Sequence, residues 1–459
     1  MTDGRPDAAR SGAVRGGGAT RRGFLALAGT ATLAGCNGFG GIGGVFGDEP
    51  PTLSGEAIGE AVSADPPTVP ETVPIPVEQS RLDETAAAVR DRLDSVPAPF
   101  DAREIPNGAI RDKVSQMRDE ATTALEDAAD APTPVETMTK LRTARGRARE
   151  VTATWAAIDA GLGFADLRET VPEIRDATDA FRGRWRYVGD APIRAVLAHA
   201  KIEELVAFVG HRTGGAVERY GREAENPIRT GEFAGALEEA RAALDDAEYL
   251  YDRYESSLAD PRRVRSEVTA AGESLIQTLE NRREKLPDGN PRKPSSFVDR
   301  NIKRTPVGSA MTELYRGLDY ADGLEDERAT GRRAQVVVSA HETLVRVRAF
   351  ELLRERVQSG DHVTVESADD VRKIRESAIR AFEDALESGT NPRLGRHVLS
   401  QIVGVFEYAD DQLKGYDEDS DVSAKWLDRE LGRYVLAGAM ARATPKTSAD
   451  VADEIRRAF

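Results

Sequence analysis

Five histidines and one cysteine bound the chemistry open to this chain of 459 residues. His199 and Glu203 stand four residues apart, on one face of a helix, where an imidazole and a carboxylate can share a metal ion. A buried histidine donating to its neighbouring carboxylate uses the same spacing without metal. His341 lies on an apolar face between Val338 and Val345, and His211 near a helix C-terminus, where an imidazolium suits the dipole. His362 falls in a loop and His397 near the start of an apolar helix. No His-Glu-x-x-His or Glu-x-x-His pair is present, and no Gly-x-Ser-x-Gly elbow. A hydrolase therefore lacks a catalytic set, and no cofactor is expected.

Asp417, Asp419 and Asp421 take positions 1, 3 and 5 of a calcium loop, with Asp428 at position 12. Val422 replaces the glycine of that loop and Lys425 stands at position 9, so a solvated linker ending in a Ser423 cap competes with the calcium reading. Basic residues gather twice. Arg142, Arg145 and Arg149 form a helical stripe flanked by Lys140 and Arg147. Residues 282–304 hold eight Arg or Lys against three acids. Such patches meet anionic headgroups or glycans, or pair with acidic helices. In Arg184-Trp185-Arg186-Tyr187 the tryptophan can stack on a ligand or pack under a loop.

The elements that would hold these residues are helices. Amphipathic spacing recurs at 78–95, 107–130, 134–161, 172–187, 191–220, 232–258 and 262–285, then at 307–323, 328–358, 368–387, 392–413, 423–442 and 448–458. In the segment 232–258, Leu237, Ala240, Leu244, Ala247, Tyr251, Tyr254 and Leu258 alternate three- and four-residue steps, a seam that wants partner helices; Tyr249 falls off it. The fold class is all-α, as one or two antiparallel bundles: 78–286 and 307–459, joined by a Pro-rich linker at 287–306. Echoes on either side of the linker suggest a duplication: Thr133-Pro134-Val135 with Thr305-Pro306-Val307, Ile174-Arg175 with Ile374-Arg375, and Pro192 with Pro392.

Ahead of the helices, Arg21 and Arg22 abut an apolar run from Phe24 to Gly35, too short for a membrane span of about 20 residues. The segment Thr20-Arg21-Arg22-Gly23-Phe24-Leu25 resembles the twin-arginine export signature, and Leu33-Ala34-Gly35-Cys36 resembles a lipobox. The resemblance, confined to these residues, implies export of the folded chain, removal of residues 1–35 and a lipid on the Cys36 sulfur. Cys36 is the sole cysteine, so neither an intramolecular disulfide nor a Cys-based zinc site can form. Residues 36–77 are rich in Gly and then Pro, and read as a disordered tether with a random-coil reach on the order of 35 Å. A short helix near 56–64 can interrupt it.

The net charge is −16, and only ten of the 63 basic residues are Lys. Acid excess with scarce Lys and abundant Ala resembles the proteins of haloarchaea. The excess argues against nucleic acid as a partner. Together these observations describe a lipid-anchored helical protein on the extracellular face of the cell membrane. It binds another envelope component without catalysis or, alternatively, carries a ligand or metal for a membrane transporter. At about 1 M salt the screening length is roughly 3 Å, so repulsion among surface carboxylates nearly vanishes. The isolated domain is predicted to lose helicity below a few hundred millimolar salt; a circular dichroism melt independent of salt would contradict this.

Overall fold

Helix starts written in the sequence are where the chain turns helical. Thr133 Oγ1 accepts the Glu136 N–H at 3.3 Å with Pro134 in the first helical position, and Ser367 forms a capping box with Asp370. The computed structural model describes residues 51–220, 226–360, 365–389 and 391–459. The fold is all-α apart from four short strands among the described residues. Strand β1 (Thr52–Ser54) and helix α1 (Gly55–Ala61) come first. Then follow α2 (Gln79–Asp94), α3 (Gly108–Ala129), α4 (Pro134–Asp159), α5 (Phe164–Arg168), α6 (Thr170–Arg184), β2 (Val188–Gly189), α7 (Pro192–Tyr220) and α8 (Pro227–Ser256). After β3 (Arg262–Arg263) come α9 (Arg265–Arg283), α10 (Pro306–Arg316), α11 (Ala321–Ala329), α12 (Arg333–Ser359), α13 (Ala368–Glu387), α14 (Pro392–Lys414), β4 (Asp421–Ser423) and α15 (Asp428–Ala458). Antiparallel ladders join β1 to β4 and β2 to β3.

The seam of α8 is buried from Leu237 to Tyr254. It packs on α4 at unusually short range. A Cβ on Gly231 would lie 1.8 Å from Thr154 Oγ1, and one on Gly235 would lie 2.9 Å from the Gly146 carbonyl oxygen. That closeness brings charged residues of the two helices together. Arg142 pairs with Asp246 at 3.3 Å, and Arg145 with Glu238 at 3.1 Å and Asp245 at 3.0 Å. Arg147 reaches Glu150 and Lys140 reaches Glu136. Arg142 and Arg145 of the basic stripe are thus used in pairing within the protein, as are Lys140 and Arg147 beside it, whereas Arg149 forms no ion pair with the described residues.

Three expectations of organisation change. Residues 51–77 are not a tether: Leu53, Ile58, Val62, Val69 and Ile75 are buried, Leu53 from β1, Ile58 and Val62 from α1 and its cap, and Val69 and Ile75 between prolines that hold the backbone extended. Residues 36–50 lie outside the described residues. The 287–306 segment is not the seam between two bundles either. Helix α9 gives Val268, Ala271, Leu275 and Leu279 to a core built with α7, α12 and the end of α15, so the halves share an interior. Helix α15 also runs unbroken through Pro445. The hydroxyls of Thr444 and Thr447 each donate to a carbonyl one turn back, at 2.8 Å, and tight packing holds the helix despite the missing N–H. The echoed residues do play like parts, since Thr133-Pro134 and Thr305-Pro306 cap α4 and α10 in the same way. Their helices differ, with 26 residues against 11.

The second-half core is fastened by one polar knot. Arg375 of α13 donates through Nε and Nη2 to the two oxygens of Asp410 of α14, at 2.9 and 2.7 Å. Tyr434 of α15 donates to Asp410 at 2.5 Å. Arg375 Nη2 also donates to the Ala64 carbonyl at 2.6 Å, which fastens the N-terminal segment to the body. Both charged residues are 2% exposed. Asp410→Ala would leave a guanidinium buried without its counter-charge. It is predicted to cost about 3–5 kcal/mol, and a smaller loss is expected for Arg375→Met with Asp410→Leu together. Denaturant unfolding of both variants checks the difference, and equal losses would refute the account.

Candidate functional site

His199 and Glu203 share a face of α7, as their spacing implies, but they face different partners. The indole N–H of Trp185 donates to His199 Nδ1 at 3.1 Å, so the ring proton sits on Nε2, which donates to the Val188 carbonyl at 2.8 Å. Burial lowers the imidazole to about 4, and the ring stays neutral. Trp185 stacks on Tyr187, with centroids 5.1 Å apart. Glu203 accepts from the Tyr187 hydroxyl, from the Ala334 N–H at 3.0 Å and from the Gln335 N–H at 2.6 Å. Those amides open α12, whose own N-cap, Arg332, supplies no side-chain bond. Glu203 therefore caps a helix from another element. The metal expectation for this pair is corrected: both residues have their polar atoms engaged with protein groups.

The acidic turn is likewise built into the backbone. The Asp417 carbonyl accepts from the Ser420 N–H at 2.9 Å, and the Ser420 and Glu418 carbonyls accept from Gly55 and Glu56 at the start of α1. A Cβ on Gly55 would lie 2.0 Å from the Asp417 carbonyl oxygen, so only glycine fits there. Asp421 enters β4 and Asp428 opens α15, so the four carboxylates do not converge as a calcium loop requires. Among the described residues no group of three or more His, Cys, Asp or Glu is placed to hold a metal ion. Burial pushes the Asp428 carboxyl up to about 7, with Arg304 opposing. Ser423 makes no capping bond. Arg21, Arg22, Cys36 and His362 lie outside the described residues.

One nucleophile–base pair escapes sequence reading. His341 Nε2 lies 3.0 Å from Ser448 Oγ, with one residue on α12 and the other on α15. His341 Nδ1 has no hydrogen-bond partner, and burial lowers the ring to about 3. The cavity beside Ser448 is about 10 Å³, room for one water at most. No substrate reaches this pair. His397 pairs with Glu342 at 3.4 Å, and His211 is exposed on α7.

What remains open to solvent is a cleft of about 600 Å³ between α10 and the start of α15. Ser309, Thr312, Glu313 and Arg316 line it from α10 at i, i+3, i+4 and i+7, which is one helix face. Arg429 and Arg433 face them from α15, and Arg304 closes one end. Gly432 sets the spacing: a Cβ there would meet the Ser309 Cβ at 2.6 Å and the Pro306 carbonyl oxygen at 2.9 Å. The Arg433 side chain is 12% exposed, lies 4.3 Å over the Tyr408 ring and carries a buried Nη1 that faces the Glu430 carboxylate at 4.0 Å but makes no hydrogen bond. Arg304, Arg316 and Arg429 are exposed and form no ion pair with the described residues. Such a set of guanidinium and hydroxyl donors grips oxyanions.

Burial raises Glu203 from 4.5 to about 7 against its three donors. Between those values the folded chain keeps a proton that the unfolded chain has lost, so this group's contribution to stability falls as pH rises. Glu203→Gln removes that dependence, and its stability relative to wild type is predicted to rise by roughly 1 kcal/mol per pH unit across the window. Parallel pH–stability curves would refute it.

Two family models match the chain. Residues 80–260 match Domain of unknown function (DUF8262), and residues 265–453 match Domain of unknown function (DUF8264). The gap between them falls at β3, immediately before α9. No curated protein and no solved structure matches.

Proposed function

We propose that this chain is an exported, lipid-anchored helical component of the cell envelope, acting by binding rather than catalysis. In this reading residues 1–35 direct twin-arginine export, a lipid on Cys36 holds the protein to the outer face of a haloarchaeal membrane, and the body recognises an anionic envelope component. The observation that carries the binding function is the α10–α15 cleft. It offers four guanidinium groups and two hydroxyls against one carboxylate, Glu313, with no histidine or cysteine in its lining. Neither Ser309 nor Thr312 hydrogen-bonds to a base among the described residues, so the hydroxyls are donors rather than activated nucleophiles.

A second reading, a ligand-binding lipoprotein serving a transporter, draws on another cavity. Pro192 and Ile193 at the start of α7 and Pro392 at the start of α14 form an apolar hollow of about 480 Å³, ringed by Arg194, Arg393 and Arg456. It suits a small apolar ligand bearing one anionic group.

Fractionation of the native host tests the anchored reading. Wild type is expected in the membrane and in the detergent phase of a Triton X-114 partition, and Cys36→Ala in the aqueous phase. Wild type recovered from cytosol with residues 1–35 intact and the thiol free would overturn it.

A further inference from the structure

We propose that the end of the body bearing the α10–α15 cleft lies against the membrane, and that the cleft grips the phosphate of anionic lipid headgroups. This rests on the reading that Cys36 is the anchor. Three observations meet at that end.

The first is where the chain joins the body. The Pro51 carbonyl accepts the Ala424 N–H at 2.9 Å, and β1 pairs with β4, so the segment from Cys36 arrives beside residues 424–426. Fourteen residues lie between Cys36 and Pro51, fifteen steps along the chain, which caps the distance from lipid to body at about 50 Å.

The second is apolar exposure. Trp426, 68% exposed, and Tyr408, 48% exposed, are the exposed large hydrophobic residues among those described. Both adjoin the cleft. Trp426 precedes Arg429 by three residues and has Lys425 Nζ 5.6 Å from its ring; Tyr408 lies under Arg433. An exposed tryptophan beside basic groups is what a bilayer interface accommodates.

The third is size and donor set. The cleft holds a headgroup and not a folded partner. Arg433 is already held in place over Tyr408, its Nη1 facing the Glu430 carboxylate at 4.0 Å without a hydrogen bond, while Arg316 and Arg429 are free to fork onto a phosphate with the hydroxyls of Ser309 and Thr312. The wider field at this end is not basic, because Asp417, Glu418, Asp419 and Asp421 are exposed on the turn before residues 424–426. Attraction at long range is therefore weak, and the grip consists of charge-assisted hydrogen bonds at contact distance, which salt weakens least at the nearly buried Arg433.

The test uses the full chain carrying Cys36→Ser, so that no lipid tail contributes. It is floated with vesicles of phosphatidylcholine alone or mixed with phosphatidylglycerol. Binding to the mixed vesicles is expected to exceed binding to neutral ones by about ten-fold, and to persist in molar salt. Arg316→Glu with Arg429→Glu should abolish the difference, while Arg393→Glu, in the other cavity, should leave it intact. Trp426→Phe should remove a blue shift in tryptophan emission seen with mixed vesicles. Circular dichroism confirms that each variant is folded. Equal flotation with both vesicles, an unaffected double variant, or tight binding of inorganic phosphate without vesicle recruitment would each overturn the proposal. The first two leave the Cys36 anchor untouched, because fractionation of the wild type decides that separately.

Discussion

The bidentate contact between Arg375 and Asp410 ties four separate parts of the chain together. It joins α13 to α14, takes in α15 through Tyr434, and receives the N-terminal segment through the Ala64 carbonyl. A buried ion pair is not a strong source of net stability, because desolvation offsets much of its attraction. Its value here is geometric. The donors and acceptors are nearly all consumed, so the three helices and the incoming strand have one arrangement that leaves no charge unpaired. Apolar side chains alone would permit sliding. The pairing of β1 with β4 fastens the same N-terminal segment a second time, at Leu53, eleven residues before Ala64.

The first half solves a related problem differently. An acidic chain must place carboxylates somewhere, and α4 and α8 place several in a shared interface. Glycines at 146, 231 and 235 bring the helices close, and arginines from α4 meet Glu238, Asp245 and Asp246. Burial raises Asp246 to about 6, while Arg92 and Arg145 hold Glu238 below the usual carboxylate range despite its own desolvation. Neighbouring acids in one interface thus take opposite directions: desolvation prevails at Asp246 although three guanidinium groups act on it, while the charge and hydrogen bonds of Arg92 and Arg145 prevail at Glu238.

The helices were legible because periodicity and caps are local. Thr133-Pro134, Asn107 and Ser367 start helices where such residues should. The candidate sites were less legible, because side-chain partners are remote in the chain. The spacing of His199 and Glu203 identifies a shared face, but Glu203 meets amides more than 130 residues away, and nothing in an i, i+4 pair announces that. The basic stretch 282–304 is dense in sequence, yet its charges disperse in space. Arg282 pairs with Glu351, Arg300 reaches the Gln358 carbonyl, and only Arg304 lines the cleft. Two local marks of the cleft were present: the polar face from Ser309 to Arg316, and Gly432 between Arg429 and Arg433. Neither states that α10 and α15 lie side by side. The Pro-rich stretch misled for the opposite reason, since composition reports average burial, and five well-spaced apolar residues between prolines suffice to dock it.

Helix α15 spans 31 residues, about 46 Å along its axis. Its first turns carry the cleft arginines, and its last turns place Val451, Ala452 and Ile455 in the core shared with α7 and α9. A single rod therefore has one end at the opening to solvent and the other under the junction of the two halves. Pivoting it by about 5° at the arginine end sweeps the opposite end through about 4 Å, more than close-packed side chains absorb without repacking. The two ends of α15 are thus positioned together, and the width of the opening is fixed by the packing at the far end as well as by Gly432.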